Sequence, residues 1–189
     1  MDEAILAYIV GVALGDGNLS NPNGRAVRLR ITCDNNYPQI KNEIIGSLQI
    51  LFPNNRVSIV AGPKETYCNV SVYSNKLNTL IPWRVGFGTK HEQNARVPKW
   101  IKVEQTLAIS CLRGLLQTDG SIYIDRGYRM VNFTNNTLAL AQDVLEVIES
   151  LGYKPKLYKA AQKSLNPKYT VRLSREVDKF LSEIKLQKL

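Results

Sequence analysis

The sequence predicts an α+β fold built from two pseudo-symmetric halves, each running helix, two strands, helix, two strands, helix. Three observations lead there. First, Ile9-Val10-Gly11-Val12-Ala13-Leu14-Gly15-Asp16-Gly17 and Leu112-Arg113-Gly114-Leu115-Leu116-Gln117-Thr118-Asp119-Gly120 repeat each other, each an apolar run with an internal Gly that ends in Asp-Gly. Second, the same order of elements follows each copy. Third, the period of about a hundred residues is too long for a solenoid and fits a duplicated unit.

Each element has a local reason. Arg25 to Thr32 and Tyr128 to Thr134 alternate apolar and polar residues, the mark of a half-buried strand. Amphipathic helices follow, Gln39 to Phe52 and Leu138 to Leu151, and Phe52-Pro53-Asn54-Asn55 and Leu151-Gly152-Tyr153 supply their stop signals. Two strands come next in each half: Arg56 to Val60 and Tyr67 to Tyr73, then Lys156 to Tyr158 and Tyr169 to Leu173. A final helix starts near Ser74-Asn75-Lys76-Leu77 and near Ser174-Arg175-Glu176-Val177. The expected division is residues 1–87, a linker over 88–106, and residues 107–189.

Composition narrows the class. A chain of 189 residues with 44% apolar content can bury a real core, and no apolar run reaches the roughly 18 residues that span a membrane. Asp2 and Glu3 stand where a secretion signal would carry basic residues. Cys33, Cys68 and Cys111 are scattered, and His91 is the only histidine, so zinc is not expected. An intracellular protein, cytoplasmic or organellar and not secreted, is the expectation.

The net charge of +9 fits an anionic partner, and its placement says more. Side chains alternate faces along a strand, so Val27, Leu29 and Ile31 point to one side and Arg28, Arg30 and Thr32 to the other. Arg56, Ser58, Asn69, Ser71 and Tyr73 continue that polar face. Asn132, Thr134, Lys156, Tyr158, Lys168, Thr170 and Arg172 play the same part in the second half. A solvated face normally mixes signs, whereas these strands hold almost no Asp or Glu. Such a face suits base edges in a major groove and backbone phosphates.

The paired motif adds chemistry. Gly11 and Gly15 lie one helical turn apart, as do Gly114 and Thr118, giving each helix a stripe of small residues along which two backbones can approach. Packed that way, the helices bring Asp16 and Asp119 together at their C-terminal ends, where the helix dipole already places negative charge. Two carboxylates there repel unless a cation sits among them. Oxygen donors without His or Cys favour Mg²⁺.

These segments resemble the two copies of the LAGLIDADG motif, and the chain resembles a single-chain LAGLIDADG homing endonuclease over essentially its whole length. Leu112 to Gly120 is the more specific match, while in the first copy Leu14 and Gly15 replace the usual polar and Ala positions. The resemblance implies αββαββα halves forming a saddle over double-stranded DNA, with the motif helices at the centre. It implies metal held by Asp16, Asp119 and the carbonyls of Gly15 and Thr118, Mg²⁺ with Mn²⁺ as a substitute. It also implies double-strand cleavage of a long asymmetric target by a monomer, leaving short 3′ overhangs. Family members add a basic residue and solvent-ordering polar groups. Lys90 and Lys188 match the basic positions, and Asn135 matches a polar one after the first strand of half two; Cys33 stands at its counterpart.

Rival functions are an intron RNA maturase, which does not need both acids, and a non-cleaving DNA-binding protein. A transcription regulator would need an added domain. An intein would need a nucleophile at its first residue, whereas this chain starts Met1-Asp2-Glu3 almost on the motif helix.

Overall fold

The computed structural model describes residues 1–160 and 167–188; residues 161–166 and Leu189, within the expected second half, lie outside the described residues. Helix α1 (Glu3–Asp16) starts where the Asp2 carboxylate accepts a bond from the Ile5 N–H, 3.1 Å. All nine residues from Leu6 to Leu14 are buried, as expected of a helix that is apolar all round and therefore central. Its partner is α5 (Gln105–Asp119), the element it packs against most extensively.

The two backbones nearly touch. A Cβ on Gly11 would overlap the Cys111 carbonyl, and one on Gly114 would overlap the Tyr8 carbonyl and the Val12 amide. The small-residue stripe is therefore the contact itself. Gly17 and Gly120, which follow the two acids, have ordinary extended backbone with φ of −80° and −86°. They are needed for space rather than for a left-handed turn, because a Cβ there would strike the Ala13 or Leu116 backbone.

Each half carries a four-stranded antiparallel sheet. In the first, β1 (Gly17–Ser20), β2 (Arg28–Asp34), β3 (Ser58–Ala61) and β4 (Tyr67–Tyr73) lie in the order β1-β2-β4-β3. In the second, β5 (Gly120–Asp125), β6 (Tyr128–Asn135), β7 (Lys156–Lys159) and β8 (Tyr169–Leu173) lie in the order β5-β6-β8-β7. The registers correspond: Gly17 opposes Ile31 as Gly120 opposes Phe133. Helices α2 (Pro38–Leu51) and α6 (Leu138–Ser150) cover the apolar faces. The second half ends in α7 (Val177–Ile184), and its counterpart α3 (Leu77–Leu80) is a single turn. Pro82 disfavours helix at Ile81 and so limits α3.

The connection between halves contains the short helix α4 (Lys99–Lys102) and is clamped to α6. Asp143, fully buried, accepts from the Arg96 guanidinium (2.5 and 3.0 Å), the Val97 N–H (2.9 Å) and the Lys102 ammonium (2.7 Å). Four donors satisfy a carboxylate that burial alone would heavily penalise.

Three local expectations need correction. Arg56 is not in a strand but exposed before β3, because the Asn55 amide donates to the Tyr73 carbonyl (2.7 Å) and ties the chain past the end of the ladder. Lys168 is the residue before β8, still tied in by the Ala160 N–H, which donates to its carbonyl. Asn135 does not follow the first strand of its half; it closes β6, the second.

Candidate metal centre and nucleic-acid interface

Backbone contact along the Gly stripe brings the last turns of α1 and α5 together, and Asp16 and Asp119 end those turns. Asp16 stays open to solvent on one side, yet surrounding protein and the nearby Asp119 carboxylate push its carboxyl up to about 6. Burial also raises Asp119, against the Asn135 side chain, whose amide donates 2.7 Å to Oδ2, and against both lysines. Burial is thus the main cause at both acids, with the Asp119 carboxylate adding to it at Asp16 and the two lysines offsetting it at both.

Two clefts flank the pair. One, of about 650 Å³, is lined by Gly15, Lys90, His91, Asp119, Asn135 and Thr137 among others. The other, of about 290 Å³, includes Asp16, Cys33, Gln117, Thr118 and Lys188. Each cleft therefore combines the end residue of one motif helix with the acid of the other: Gly15 with Asp119, and Thr118 with Asp16.

The lysines obey the same pseudo-symmetry. The Lys90 ammonium donates to the carbonyls of Ala13 (3.2 Å), Leu14 (2.9 Å) and Gly15, and lies 5.6 Å from the centre of the Trp83 ring. Lys188 donates to the carbonyls of Thr118 and Gly120, both at 2.9 Å, and lies 5.8 Å from the centre of the Tyr37 ring. Burial lowers both ammoniums from the ordinary lysine range, while the two acids pull the other way.

Asn135 and Cys33 sit at matched register positions and differ in chemistry. Asn135 bridges, donating to Asp119 and accepting from the Thr137 N–H at 2.9 Å. Cys33 is buried opposite Cys68, and burial pushes its thiol up to about 12, so it offers no charge to the smaller cleft. Asp119 lines the larger cleft together with Glu92, His91 and Asn135, and Asp16 lines the smaller together with Cys33 and Thr118. Among the described residues no three His, Cys, Asp or Glu side chains gather as a metal site. The oxygen donors present, the carboxylates of Asp16 and Asp119 and the carbonyls of Gly15 and Thr118, suit a hard cation that retains waters.

Sequence reasoning missed several residues here. The imidazole Nδ1 of His91 lies 3.2 Å from the Thr137 hydroxyl on the wall of the larger cleft. Its adjacency to Lys90 was the available signal. Gln117, buried beside the smaller cleft, accepts from the Tyr8 hydroxyl (2.7 Å) and donates to Glu43 (3.1 Å), which pairs with Arg113 at 2.9 Å.

The polar sheet faces have the expected register. Val27, Leu29 and Ile31 are at most 2% exposed, while Arg28, Arg30 and Thr32 reach the other face. Cross-strand pairing puts Arg28 opposite Tyr73, Arg30 opposite Ser71, Thr32 opposite Asn69, and Ser58 next to Ser71. The second sheet aligns Asn132 with Arg172 and Lys156, and Thr134 with Thr170 and Tyr158. Several of these groups hold one another: Thr32 donates to Asn69 (3.1 Å), Arg172 to Asn132 (3.1 Å), and the Thr134 and Thr170 hydroxyls meet at 3.0 Å. Arg56 and Lys168 lie at the strand ends, beyond the ladders.

Residues 107–185 match the LAGLIDADG-like domain. The chain is similar to a crystal structure of the homing endonuclease I-DmoI with DNA and Mn, at 23% identity and a TM-score of 0.71, covering 96% of each chain. Another structure of that endonuclease holds DNA and Ca. The N-terminal LAGLIDADG domain of DUF199/WhiA matches at 13% identity and a TM-score of 0.65, covering 98% of this chain and 84% of that one. A tRNA-splicing ligase RtcB from Pyrococcus furiosus is 26% identical over 95% of this chain, which spans only about a fifth (21%) of that relative. The structural likenesses establish a shared fold. No helix among the described residues is long and apolar enough to cross a membrane.

Proposed function

Starting from a chain that has the two-half LAGLIDADG fold and a LAGLIDADG-like domain at residues 107–185, we propose that it is a site-specific DNA endonuclease that makes metal-dependent double-strand breaks in a long, asymmetric target. The observation that carries this is the pair of acids, Asp16 and Asp119, held at two touching helix ends against their mutual repulsion. Fold alone does not choose an activity, which lives in the site. Two carboxylates gathered at an oxygen-lined centre have no use in packing and a direct one in phosphodiester hydrolysis.

Asp16, Asp119 and the carbonyls of Gly15 and Thr118 would hold the metal, Mg²⁺ or Mn²⁺. Bound there, divalent ions supply charge relief at the scissile phosphates and polarise water. The chain's own residues do the rest. Asn135 fixes the Asp119 carboxylate through its amide while its own oxygen is fixed by the Thr137 N–H. Lys90 and Lys188 bring positive charge beside the reacting phosphates. Arg28, Arg30, Thr32, Asn69, Ser71 and Tyr73, with Asn132, Thr134, Lys156, Tyr158, Thr170 and Arg172, face DNA; Arg56 and Lys168 contact its backbone from the sheet ends. Because one chain supplies both acids and two unlike sheets, it acts as a monomer on a non-palindromic site.

The test is a randomised duplex library incubated with the protein and Mg²⁺, with sequencing of the cut ends. The reading expects one asymmetric consensus with short 3′ overhangs. Binding enrichment with no cut ends at any metal concentration would instead favour a non-cleaving binder.

A further inference from the structure

Lys90 and Lys188 are 98 positions apart in sequence yet make similar cages, an ammonium between an aromatic ring and carbonyls at the end of a motif helix, with Gly120, the first residue of β5, as the second acceptor on the Lys188 side. Lys90 takes the carbonyls of Ala13, Leu14 and Gly15 against Trp83; Lys188 takes those of Thr118 and Gly120 against Tyr37. A helix C-terminus presents unpaired carbonyls and partial negative charge, and an ammonium neutralises both. The caged oxygens include those of Gly15 and Thr118, the two carbonyls that would also hold the metal.

We propose that Lys90 and Lys188 are the resident cations of the metal-free protein, and that a divalent ion gains the Gly15 or Thr118 carbonyl only by displacing an ammonium. The proposal rests on the metal-site reading of Asp16 and Asp119. A carbonyl oxygen that accepts from an ammonium cannot also turn the same lone pairs to a cation of twice the charge, and like charges at that spacing repel. Metal loading therefore has a built-in competitor on each side. It also releases two positive charges beside the scissile phosphates, so metal and DNA each favour the other's arrival.

The experiment is calorimetric titration of Ca²⁺ into the metal-free full-length chain without DNA. Wild type is compared with Lys90→Met, Lys188→Met, Asp16→Asn and Asp119→Asn. Methionine keeps the stem and removes the charge, so each lysine variant should bind Ca²⁺ about tenfold more tightly, the scale of one charge-assisted contact. Weaker or unchanged binding in both overturns the competition. If the acid variants also bind Ca²⁺ like wild type, the metal-site reading falls and takes this proposal with it. If a lysine variant does not fold, lysine ¹³Cε resonances of the wild type decide. Two should move on Ca²⁺ saturation, and none moving overturns the proposal.

Discussion

Gly114→Ala tests whether the helix contact builds the site. In a free helix this change is favourable by about 0.5–1 kcal/mol, because alanine loses less backbone entropy. Here the new Cβ would lie 2.7 Å from the Val12 nitrogen and closer still to the Tyr8 carbonyl. Both are backbone atoms of α1 and cannot rotate away. Ordinary contact needs about 3.5 Å, so relieving the tighter clash, with the Tyr8 carbonyl, parts the helices by roughly 1 Å. Overpacking of that kind costs about 1–3 kcal/mol, roughly 2–12 °C of melting temperature in a chain this size. Gly46→Ala is the control: it lies in α2, where an added methyl would meet nothing within 4 Å, and should gain stability. Calorimetric melts of both variants, metal-free, decide the matter. Activity should fall further than stability, because Asp119 moves relative to Asp16. A Gly114→Ala protein as stable as Gly46→Ala would refute the close approach.

Three further outcomes are expected. Arg30→Ala should melt like wild type but weaken DNA binding by about 1–3 kcal/mol at one base position if it reads guanine, or evenly across sequences if it grips phosphate; Leu29→Ala should instead lose roughly 2–5 kcal/mol of stability. Asp16 is raised to about 6 in the folded metal-free protein, above its ordinary value of 3.8, so folding favours its protonated form and its destabilising effect grows as pH rises from about 4 to 6. Asp16→Asn should therefore melt higher than wild type at pH 7.5, on the order of 1 kcal/mol given solvent screening, with the gap closing by pH 4. Asp143→Ala should cost about 1–3 kcal/mol in a denaturant melt, because it leaves the buried Val97 N–H without an acceptor and frees Arg96, while Lys102 keeps Glu146.

Much of this was legible locally. Period-two alternation placed Val27, Leu29 and Ile31 inward and Arg28 and Arg30 outward, because strand geometry leaves no other arrangement. Gly11 and Gly114 announced the helix contact because only a missing Cβ allows it. What stayed hidden depends on long-range closure. Asp143 reads as one more polar residue on an amphipathic helix until Arg96 and Lys102 fold over it. His91 gave no sign of facing Thr137, 46 positions away. The lysines could be matched to catalytic positions, but nothing local shows that they cap helix ends 75 and 70 residues distant.

The central claim is that Asp16 and Asp119 form one metal-dependent cutting centre for both DNA strands. Strand-resolved cleavage of the selected duplex in Mg²⁺, by wild type, Asp16→Asn and Asp119→Asn, tests it most directly. Each single variant should lose double-strand cutting while holding DNA with near wild-type affinity. Full double-strand cleavage by either variant would contradict the shared centre.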